Sequence, residues 1–312
     1  MKKITVIGAG LIGSSWAIVF AKAGLNVCIY DKDESTFSTS ERYILDELEA
    51  LSELNPELVS GQAMSLISYS TNLETAVKGA FYVQESIFEH LDVKQEIFSE
   101  LDKVIEDGTI LASSSSGIPS SAFTEHLKHK SLCLIAHPVN PPHLIPLVEV
   151  VPAPWTDKDV VSKTMDLMND IGQSAIFVKK EIEGFILNRL QGALLNEAWW
   201  LYQEGYATVE EIDKTVRDGL SLRWSFMGPF QTIDLNAPGG IVDYADRLAP
   251  LYFSIAKSRS EPKPWSQDAI KNAGDEIKQF KRRQAQQDPQ AWRNMLLRSI
   301  GKWRTDNFDA YK

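Results

Sequence analysis

Apolar residues in the first half of the chain fall into short runs separated by longer amphipathic stretches. Runs of this kind predict strands at residues 3–8, 25–31, 80–86, 109–113, 131–136 and 147–151. The stretches between them predict helices, such as those at residues 14–23 and 90–105. Because strands that alternate with helices form mostly parallel sheets, the pattern predicts an α/β fold with a doubly wound sheet.

The pattern becomes purely helical near residue 183. Residues 184–203 predict a long helix that is terminated by Gly205, and Thr208 forms a capping box with Glu211 at the start of the next helix. A chain of 312 residues is long enough for two domains. We therefore expect an α/β domain over residues 1–183 and an all-helical domain over residues 184–312.

The N-terminal segment has two possible interpretations. The 18 residues between Lys3 and Lys22 carry no charge, which is typical of a membrane helix or a secretion signal. Three glycines in their middle disfavour a helix and favour a strand, a turn and then a helix. In that turn, Gly8 allows tight bending, Gly10 lets the backbone approach a pyrophosphate, and Gly13 lets helix and strand pack closely.

The glycine turn and the next strand together predict a dinucleotide site of the Rossmann-like type. The N–H groups at the start of the helix, where Leu11 and Ile12 follow Gly10, can bind phosphate oxygens. Asp31 ends the second strand, 18 residues after Gly13, and can accept hydrogen bonds from both hydroxyls of an adenine ribose. Because its charge would repel a 2′-phosphate, we expect NAD rather than NADP.

Three polar residues follow predicted strands: Asp31, Ser116 and His137. Ligands of doubly wound sheets bind beyond the carboxyl ends of the strands, so these residues should share one edge of the sheet. Glu149 lies 12 residues after His137 inside an apolar strand, where it either faces water from an edge strand or fixes the imidazole tautomer. A structural histidine and an ordinary serine-rich turn remain the alternatives for His137 and Ser116.

Charge and cysteine content narrow the classes of partner. The chain has 32 Lys and Arg against 42 Asp and Glu, a formal net charge of −10, which disfavours binding to nucleic acid or an anionic membrane. Cys28 and Cys133 both lie in apolar runs. We expect them to be buried thiols of a cytoplasmic protein, with no metal site.

Several short motifs are spread along nearly the whole chain. They are Gly8-Ala-Gly-Leu-Ile-Gly13, Ala112-Ser-Ser-Ser-Ser116, His137-Pro-Val-Asn-Pro141, Leu147-Val-Glu149, Gly184-Phe-Ile-Leu-Asn-Arg-Leu190 and Met227-Gly-Pro-Phe230. In combination they resemble the 3-hydroxyacyl-CoA dehydrogenase superfamily. The longer stretches 137–149 and 222–229, with Asp234-Leu-Asn-Ala237, are more similar to its L-gulonate 3-dehydrogenase and lambda-crystallin branch.

This resemblance implies a set of residue roles and a homodimer formed through the C-terminal domain. His137 would be the general base for a 3-hydroxyl group, with Glu149 as its partner. Ser116 and Asn188 would hydrogen-bond the reacting oxygen. The remaining roles concern the loop and the cofactor: Asn140 would support the His137 loop, and Glu89 and Lys94 would contact the nicotinamide half of NAD.

Two features of the sequence bear on the substrate. Residues 33–64 contain eight acids and one base, Arg42, so this surface should repel the phosphates of CoA. Arg223 offers a guanidinium that can bind a carboxylate with two hydrogen bonds, although it could equally form a surface salt bridge. We expect a free hydroxy acid, with L-gulonate first. A 3-hydroxyacyl-CoA, L-carnitine with Trp224 as one wall of its site, and a structural crystallin-like role remain alternatives.

Overall fold

The computed structural model describes residues 2–55, 58–259, 261, 263–283 and 288–308. The chain divides into two compact units. The first comprises Met1–Leu190 together with Asn294–Lys302, and the second comprises Gln191–Arg293 together with Trp303–Lys312. Glu57, one of the eight acids counted above, lies outside the described residues.

The first unit is built on one sheet, which has eight strands in the described part of the chain. The strand order is β3-β2-β1-β4-β5-β6-β7-β8. All neighbours are parallel except β6 and β7, which are antiparallel. The strands are β1 Lys3–Ile7, β2 Asn26–Tyr30, β3 Ile67–Ser70, β4 Ala80–Glu85, β5 Ile110–Ser113, β6 Cys133–Pro138, β7 Leu147–Pro152 and β8 Ser174–Phe177. The expected mostly parallel, doubly wound sheet is confirmed.

Helices cover the sheet and bury its apolar side chains in two clusters. One cluster includes Trp16, Phe20 and Tyr82, and the other includes Phe98 and Phe123. Besides two short 3-10 turns, the helices are α1 Leu11–Lys22, α2 Phe37–Ser52, α3 Ser60–Met64, α4 Leu73–Val77, α5 Leu91–Val104, α6 Ser121–Thr124 and α7 Lys158–Asp170. The carboxyl ends of the parallel strands lie together along one end of the sheet, and ligands bind there in such folds.

The sheet differs from the sequence prediction at three strands. Strands β3 and β8 were not predicted, and they form the two edges of the sheet. Edge strands are short and partly exposed, so Ile67–Ser70 and Ser174–Phe177 lack a long apolar run. Strand β6 was predicted to end at residue 136, but it continues through His137 and Pro138. Its extension follows from pairing with β7, where His137 lies opposite Glu149.

The C-terminal part of the chain contains helices and connecting turns, with no strand among its described residues, which confirms the predicted fold class. Its helices are α8 Leu187–Gln203, α9 Val209–Lys214, α10 Ser221–Trp224, α11 Pro229–Leu235, α12 Gly240–Ser258, α13 Gln267–Arg283 and α14 Pro289–Phe308, with a π-helical segment at Thr215–Leu220. The predicted capping box of Thr208 and Glu211 is present. No described helix in either unit combines the length and apolar character needed to cross a membrane.

Candidate active site

The glycine turn between β1 and α1 has the form that a dinucleotide requires. Gly8 has a φ of +105°, and a Cβ there would lie 2.8 Å from the Ser86 carbonyl oxygen. A Cβ on Gly13 would lie 1.9 Å from the Gly8 oxygen, so both positions exclude side chains. Beside Gly10 a Cβ would meet no described atom within 4 Å, and no side chain caps the start of α1. This open helix N-terminus fits a pyrophosphate.

Asp31 adjoins this turn at the carboxyl end of β2. Its Oδ2 accepts a hydrogen bond from the Ala9 N–H at 2.8 Å, and its Oδ1 accepts one from the Asp33 N–H at 3.1 Å. The carboxylate stays partly exposed, so it can still meet a ribose hydroxyl. Asp31 therefore also supports the glycine turn, a role that the sequence motif does not indicate.

A buried ion pair lies beside the ends of β4 and β5. Lys94 Nζ is 3.0 Å from both carboxylate oxygens of Glu85, and both side chains are buried. The Ser113 hydroxyl also donates to Glu85, and Lys94 is 3.6 Å from Glu89. Sequence reasoning identified Lys94 and Glu89 but missed Glu85. The signal that could have found it is an acid at the carboxyl end of an apolar strand, the same signal that identified Asp31.

Glu89 fixes the loop that follows β5. Its Oε1 accepts hydrogen bonds from the Ser115 hydroxyl at 2.6 Å, the Ser116 N–H at 2.9 Å and the Gly117 N–H at 3.1 Å. Burial alone would raise the pKa of Glu89, but the Ser115 hydrogen bond, the Lys94 charge and the backbone donors together hold it below the ordinary value. Glu89 is thus an ionised acceptor that shapes the Ser116 loop.

His137 and Glu149 form a buried pair across the antiparallel ladder of β6 and β7. His137 Nδ1 lies 2.8 Å from Glu149 Oε2, and the Glu149 side chain is fully buried. Glu149 Oε1 accepts the Ile186 and Leu187 N–H groups at 2.8 and 3.0 Å. Burial would raise the pKa of Glu149, but His137 and these two donors lower it below its ordinary value. Since an ionised carboxylate only accepts, Nδ1 is the donor and Nε2 is the basic nitrogen.

The entry into α8 carries the two backbone donors to Glu149. Gly184 and Phe185 have φ values of +74° and +49°, and this left-handed turn delays the predicted helix start from residue 184 to Leu187. Phe185 is a bulky residue in a region that favours glycine, so its backbone is strained there. Its buried ring lies 5.7 Å from the His137 ring between centroids. Sequence reasoning did not assign Phe185 a role.

Asn188 and Ser116 are in contact, although through the backbone of Ser116 and not through its hydroxyl group. Asn188 Nδ2 donates to the Ser116 carbonyl oxygen at 2.9 Å. Asn188 is the second residue of α8 and directly follows Ile186 and Leu187, whose N–H groups bind Glu149. It therefore connects the Ser116 loop to Glu149, the partner of His137. The structure thus brings six predicted residues into one connected network: His137, Glu149, Ser116, Asn188, Glu89 and Lys94.

Two other predicted residues lie outside this network. Asn140 is exposed in the connection between β6 and β7, and its side chain has no hydrogen bond with any described residue. Arg223 lies on α10 in the second unit and is exposed. Within the described part of the chain it forms no salt bridge, so the surface ion pair that was its alternative interpretation is not observed.

Comparison with known proteins agrees with this architecture. The family model for the 3-hydroxyacyl-CoA dehydrogenase NAD binding domain matches residues 3–182, and the model for the C-terminal domain of the same family matches residues 184–275. Lambda-crystallin of Oryctolagus cuniculus is 38% identical over 309 residues, covering 96% of this chain and 95% of that protein.

Two further relatives broaden the comparison. An L-carnitine dehydrogenase of Oceanobacillus iheyensis is 35% identical and covers 75% of this chain and 76% of its own. The crystal structure of 5-formyl-3-hydroxy-2-methylpyridine 4-carboxylic acid 5-dehydrogenase, an NAD+-dependent dismutase, superimposes with a TM-score of 0.78 at 25% identity, covering 96% and 97% of the two chains. The chain therefore belongs to the 3-hydroxyacyl-CoA dehydrogenase family, in its lambda-crystallin branch, and is an NAD-dependent dehydrogenase.

Proposed function

We propose that this dehydrogenase oxidises the 3-hydroxyl group of a small free hydroxy acid, and that L-gulonate, which gives 3-dehydro-L-gulonate, is its substrate. The observation that carries the proposal is the buried contact of 2.8 Å between His137 Nδ1 and the Glu149 carboxylate. Because Nδ1 donates to Glu149, Nε2 is left with the lone pair that accepts the hydroxyl proton. NAD, when bound, would supply the acceptor for the hydride that leaves the carbon carrying this hydroxyl group.

The residues around His137 divide the remaining tasks. Glu149 stabilises the imidazolium that forms when Nε2 takes the proton, because its buried carboxylate stays ionised. Ser116 and Asn188 hold the reacting oxygen next to Nε2. Glu89 and Lys94 orient the nicotinamide half of the cofactor, while Asp31 and the Gly8, Gly10 and Gly13 turn hold its adenosine and pyrophosphate.

A free acid is favoured over a CoA thioester by the charge around α2. Glu41, Asp46 and Glu49 are exposed on this helix next to Arg42, its sole base, and would repel CoA phosphates. Glu47 adds little to this repulsion, because it is buried and paired with Arg298. Arg223 is exposed without an ion-pair partner among the described residues, as a carboxylate-binding guanidinium should be.

L-carnitine is the second candidate, because it is also a 3-hydroxy carboxylate. A relative that covers three quarters of the chain bears the name L-carnitine dehydrogenase. Trp224 is 40% exposed next to Arg223, so it can offer an aromatic face to a quaternary ammonium group. Arg223 would bind the carboxylate of either acid, so the two candidates differ at the opposite end of the substrate.

The test is NADH production by the purified protein with NAD and, in parallel, L-gulonate, L-carnitine or 3-hydroxybutyryl-CoA. We expect turnover of L-gulonate. In Arg223→Gln the KM for L-gulonate should rise about tenfold or more, because a charge-assisted pair is lost, with the Kd for NAD unchanged. Arg217→Gln is the matched control, since Arg217 already pairs with Asp218. Turnover of the thioester alone would refute the free-acid proposal.

The same proposal covers the location, the oligomeric state and the domain boundary of the protein. The chain functions as a cytoplasmic homodimer, with its two subunits paired through the helical domain. Exposed apolar residues of α12, including Phe253 at 72% and Val242 at 68%, support this pairing. The domain boundary falls between residues 183 and 184. Cys28 and Cys133 are buried free thiols, as expected in a reducing compartment.

A further inference from the structure

A second buried pair of histidine and glutamate lies outside the candidate active site. Glu47 is on α2 in the acidic segment, yet only 9% of it is exposed. Its carboxylate accepts hydrogen bonds from His143 Nε2 at 3.1 Å, Asn294 Nδ2 at 3.0 Å and Arg298 Nη1 at 2.8 Å. These three donors hold the carboxylate in place. Losing any of them would leave a buried charge incompletely paired.

His143 connects this carboxylate to the loop of the catalytic base. It lies in residues 139–146, which join β6, where His137 stands, to β7, where Glu149 stands. The loop closes on itself through the Leu144 and Ile145 N–H groups, which both donate to the Pro141 carbonyl at 3.0 Å. A hydrogen bond from His143 to Glu47 therefore fixes a compact loop against α2.

Helix α2 is in turn held against α1, the helix that starts at the glycine turn. The Ser14 and Ser40 hydroxyls are 2.8 Å apart, and the Ser15 and Tyr43 hydroxyls are 3.2 Å apart. The Tyr43 ring also meets the His143 ring edge-on, with centroids 6.1 Å apart. The support of the loop is thus the same rigid layer that carries the cofactor turn.

The other two donors to Glu47 come from the end of the chain. Asn294 and Arg298 are on α14, in the segment Asn294–Lys302 that belongs to the first unit. The match to the family's C-terminal domain ends at residue 275, so this segment lies outside both family models. The last described helix therefore completes a polar cluster within the cofactor-binding unit.

Protonation states agree with a held hydrogen bond. Burial would raise the pKa of Glu47, but the His143, Asn294 and Arg298 contacts hold it below its ordinary value. Burial lowers the pKa of His143, so its ring is neutral and Nε2 donates. Its buried Nδ1 has no hydrogen-bond partner among the described residues, which costs stability.

We propose that Glu47, held by Asn294 and Arg298, positions His143 and its loop, and thereby keeps the His137 imidazole aligned with Glu149. Glu47, His143 and Arg298 are positioning residues, since they act on the base through the loop and not on the reacting atoms. This inference rests on the proposed role of His137 as the general base. It gives the segment Asn294–Lys302 of α14 a role in supporting the loop of the base.

The test compares Glu47→Gln and Arg298→Met with Arg304→Ala in the full-length protein. Arg304 is the matched control because it is on the same helix and donates to the Ser225 carbonyl instead. We expect kcat to fall about tenfold in the first two variants, because a small displacement of the base is costly, with substrate KM and the Kd for NAD within twofold of wild type. Arg298→Lys should recover most of the lost kcat.

A second readout does not depend on turnover. The Nδ1–H proton resonance of His137, observed by NMR in protein labelled at histidine, reports its hydrogen bond to Glu149. It should move in Glu47→Gln and Arg298→Met and stay in place in Arg304→Ala. An unmoved resonance with kcat within twofold of wild type would overturn the inference, even if the melting temperature falls. If no tested acid or thioester is turned over, the proposed function fails, and the resonance alone decides the positioning role.

Discussion

The first unit surrounds its sheet with fully buried aromatic residues such as Trp16, Phe20 and Tyr82, whereas the second unit leaves most of its large apolar residues exposed. Among the described residues of the second unit, the buried apolar ones are Ala269 and Ala273. Phe230, Leu235 and Phe253 each expose about three quarters of their surface, at 73%, 72% and 72%. Surface of this kind is typical of a protein interface.

This contrast distinguishes the residues of the proposed active site from those of the proposed subunit interface. The contacts of His137 with Glu149 and of Glu149 with the entry into α8 lie within the first unit, so the geometry around the proposed base depends on an internally packed domain. The helices α8, α9, α10 and α12 contain no fully buried residue, so their stability calls for a surface that covers them. Catalysis and assembly should therefore respond to different substitutions.

Replacing the base should have the largest effect. In His137→Ala we expect NADH production to fall about 10³-fold or more, because the hydroxyl proton loses its acceptor. NAD affinity and oligomeric state should be those of the wild type. Steady-state kinetics measure the turnover, titration with NAD measures the affinity, and gel filtration measures the oligomeric state. His126→Ala is the control, since His126 is exposed and contacts Ser99. Turnover near the wild-type rate in His137→Ala would refute the assigned mechanism.

A charge placed on α12 should produce the opposite pattern. Phe253→Asp should weaken self-association about 30-fold or more, since a buried aromatic residue at an interface commonly contributes 2 kcal/mol or more. Light scattering coupled to gel filtration should then show monomers at concentrations where the proposed wild-type dimer persists, with NAD binding retained. Phe177→Asp, an exposed aromatic position on β8 of the first unit, is the control. An assembly unchanged by Phe253→Asp would exclude this helix as the interface.

The fold was predicted best where local pattern and tertiary packing agree. The strand, glycine turn, helix and second strand were all predicted because each carries its own sequence signal, although the helix begins three residues before residue 14 and the second strand ends at Tyr30, one residue before Asp31. Strands β3 and β8 were missed because an edge strand needs few apolar residues. The helix entry at Gly184 and Phe185 was placed three residues early, since a positive φ at Phe185 has no sequence signature.

For the site, sequence reasoning found residues but not their connections. Spacing suggested His137 and Glu149, whereas their pairing depends on the antiparallel register of β6 and β7. In the sequence, Glu47 cannot be distinguished from the solvated acids around it. Its partner Asn294 lies 247 positions away. Partners so distant arise from tertiary packing, which a local pattern cannot indicate.

A smaller effect should appear in the pH dependence of stability. Contacts in the folded state lower the pKa of Glu149 from its ordinary value of 4.5, so its ionised form stabilises the fold. This contribution is complete above pH 4.5 and is lost as the pH falls through the lower, folded-state pKa. Glu149→Gln should therefore cost about 2 kcal/mol near pH 7 and progressively less below pH 4.5.

Urea unfolding of the wild type and Glu149→Gln between pH 7 and pH 3 measures this difference directly. Glu125→Gln is the control, because Glu125 is an exposed carboxylate on the first unit. Comparing variants at each pH cancels the titration of other carboxylates. A difference between wild type and Glu149→Gln that stays constant down to pH 3 would show that the carboxylate charge does not stabilise the fold.

The smallest expected effect concerns Asp31, which supports the glycine turn and for which we propose a ribose contact as well. In Asp31→Ala the Kd for NAD should rise about tenfold, the loss of one or two hydrogen bonds. Because Asp31 also accepts the Ala9 N–H, this loss could come from the turn instead. Asp31→Asn separates the two causes, since the amide oxygen can still accept from Ala9 while the negative charge is gone.

We expect Asp31→Asn to weaken NAD binding less than Asp31→Ala and to bind NADP better than the wild type does, since repulsion of the 2′-phosphate is removed. Fluorescence titration with both cofactors measures these affinities, and kcat at saturating NAD should stay within twofold of wild type. Unchanged NAD affinity in both variants would remove the ribose role. Weakening in Asp31→Ala alone, with no gain for NADP in Asp31→Asn, would assign Asp31 to the turn, so that the first unit would select its cofactor by backbone geometry and not by charge.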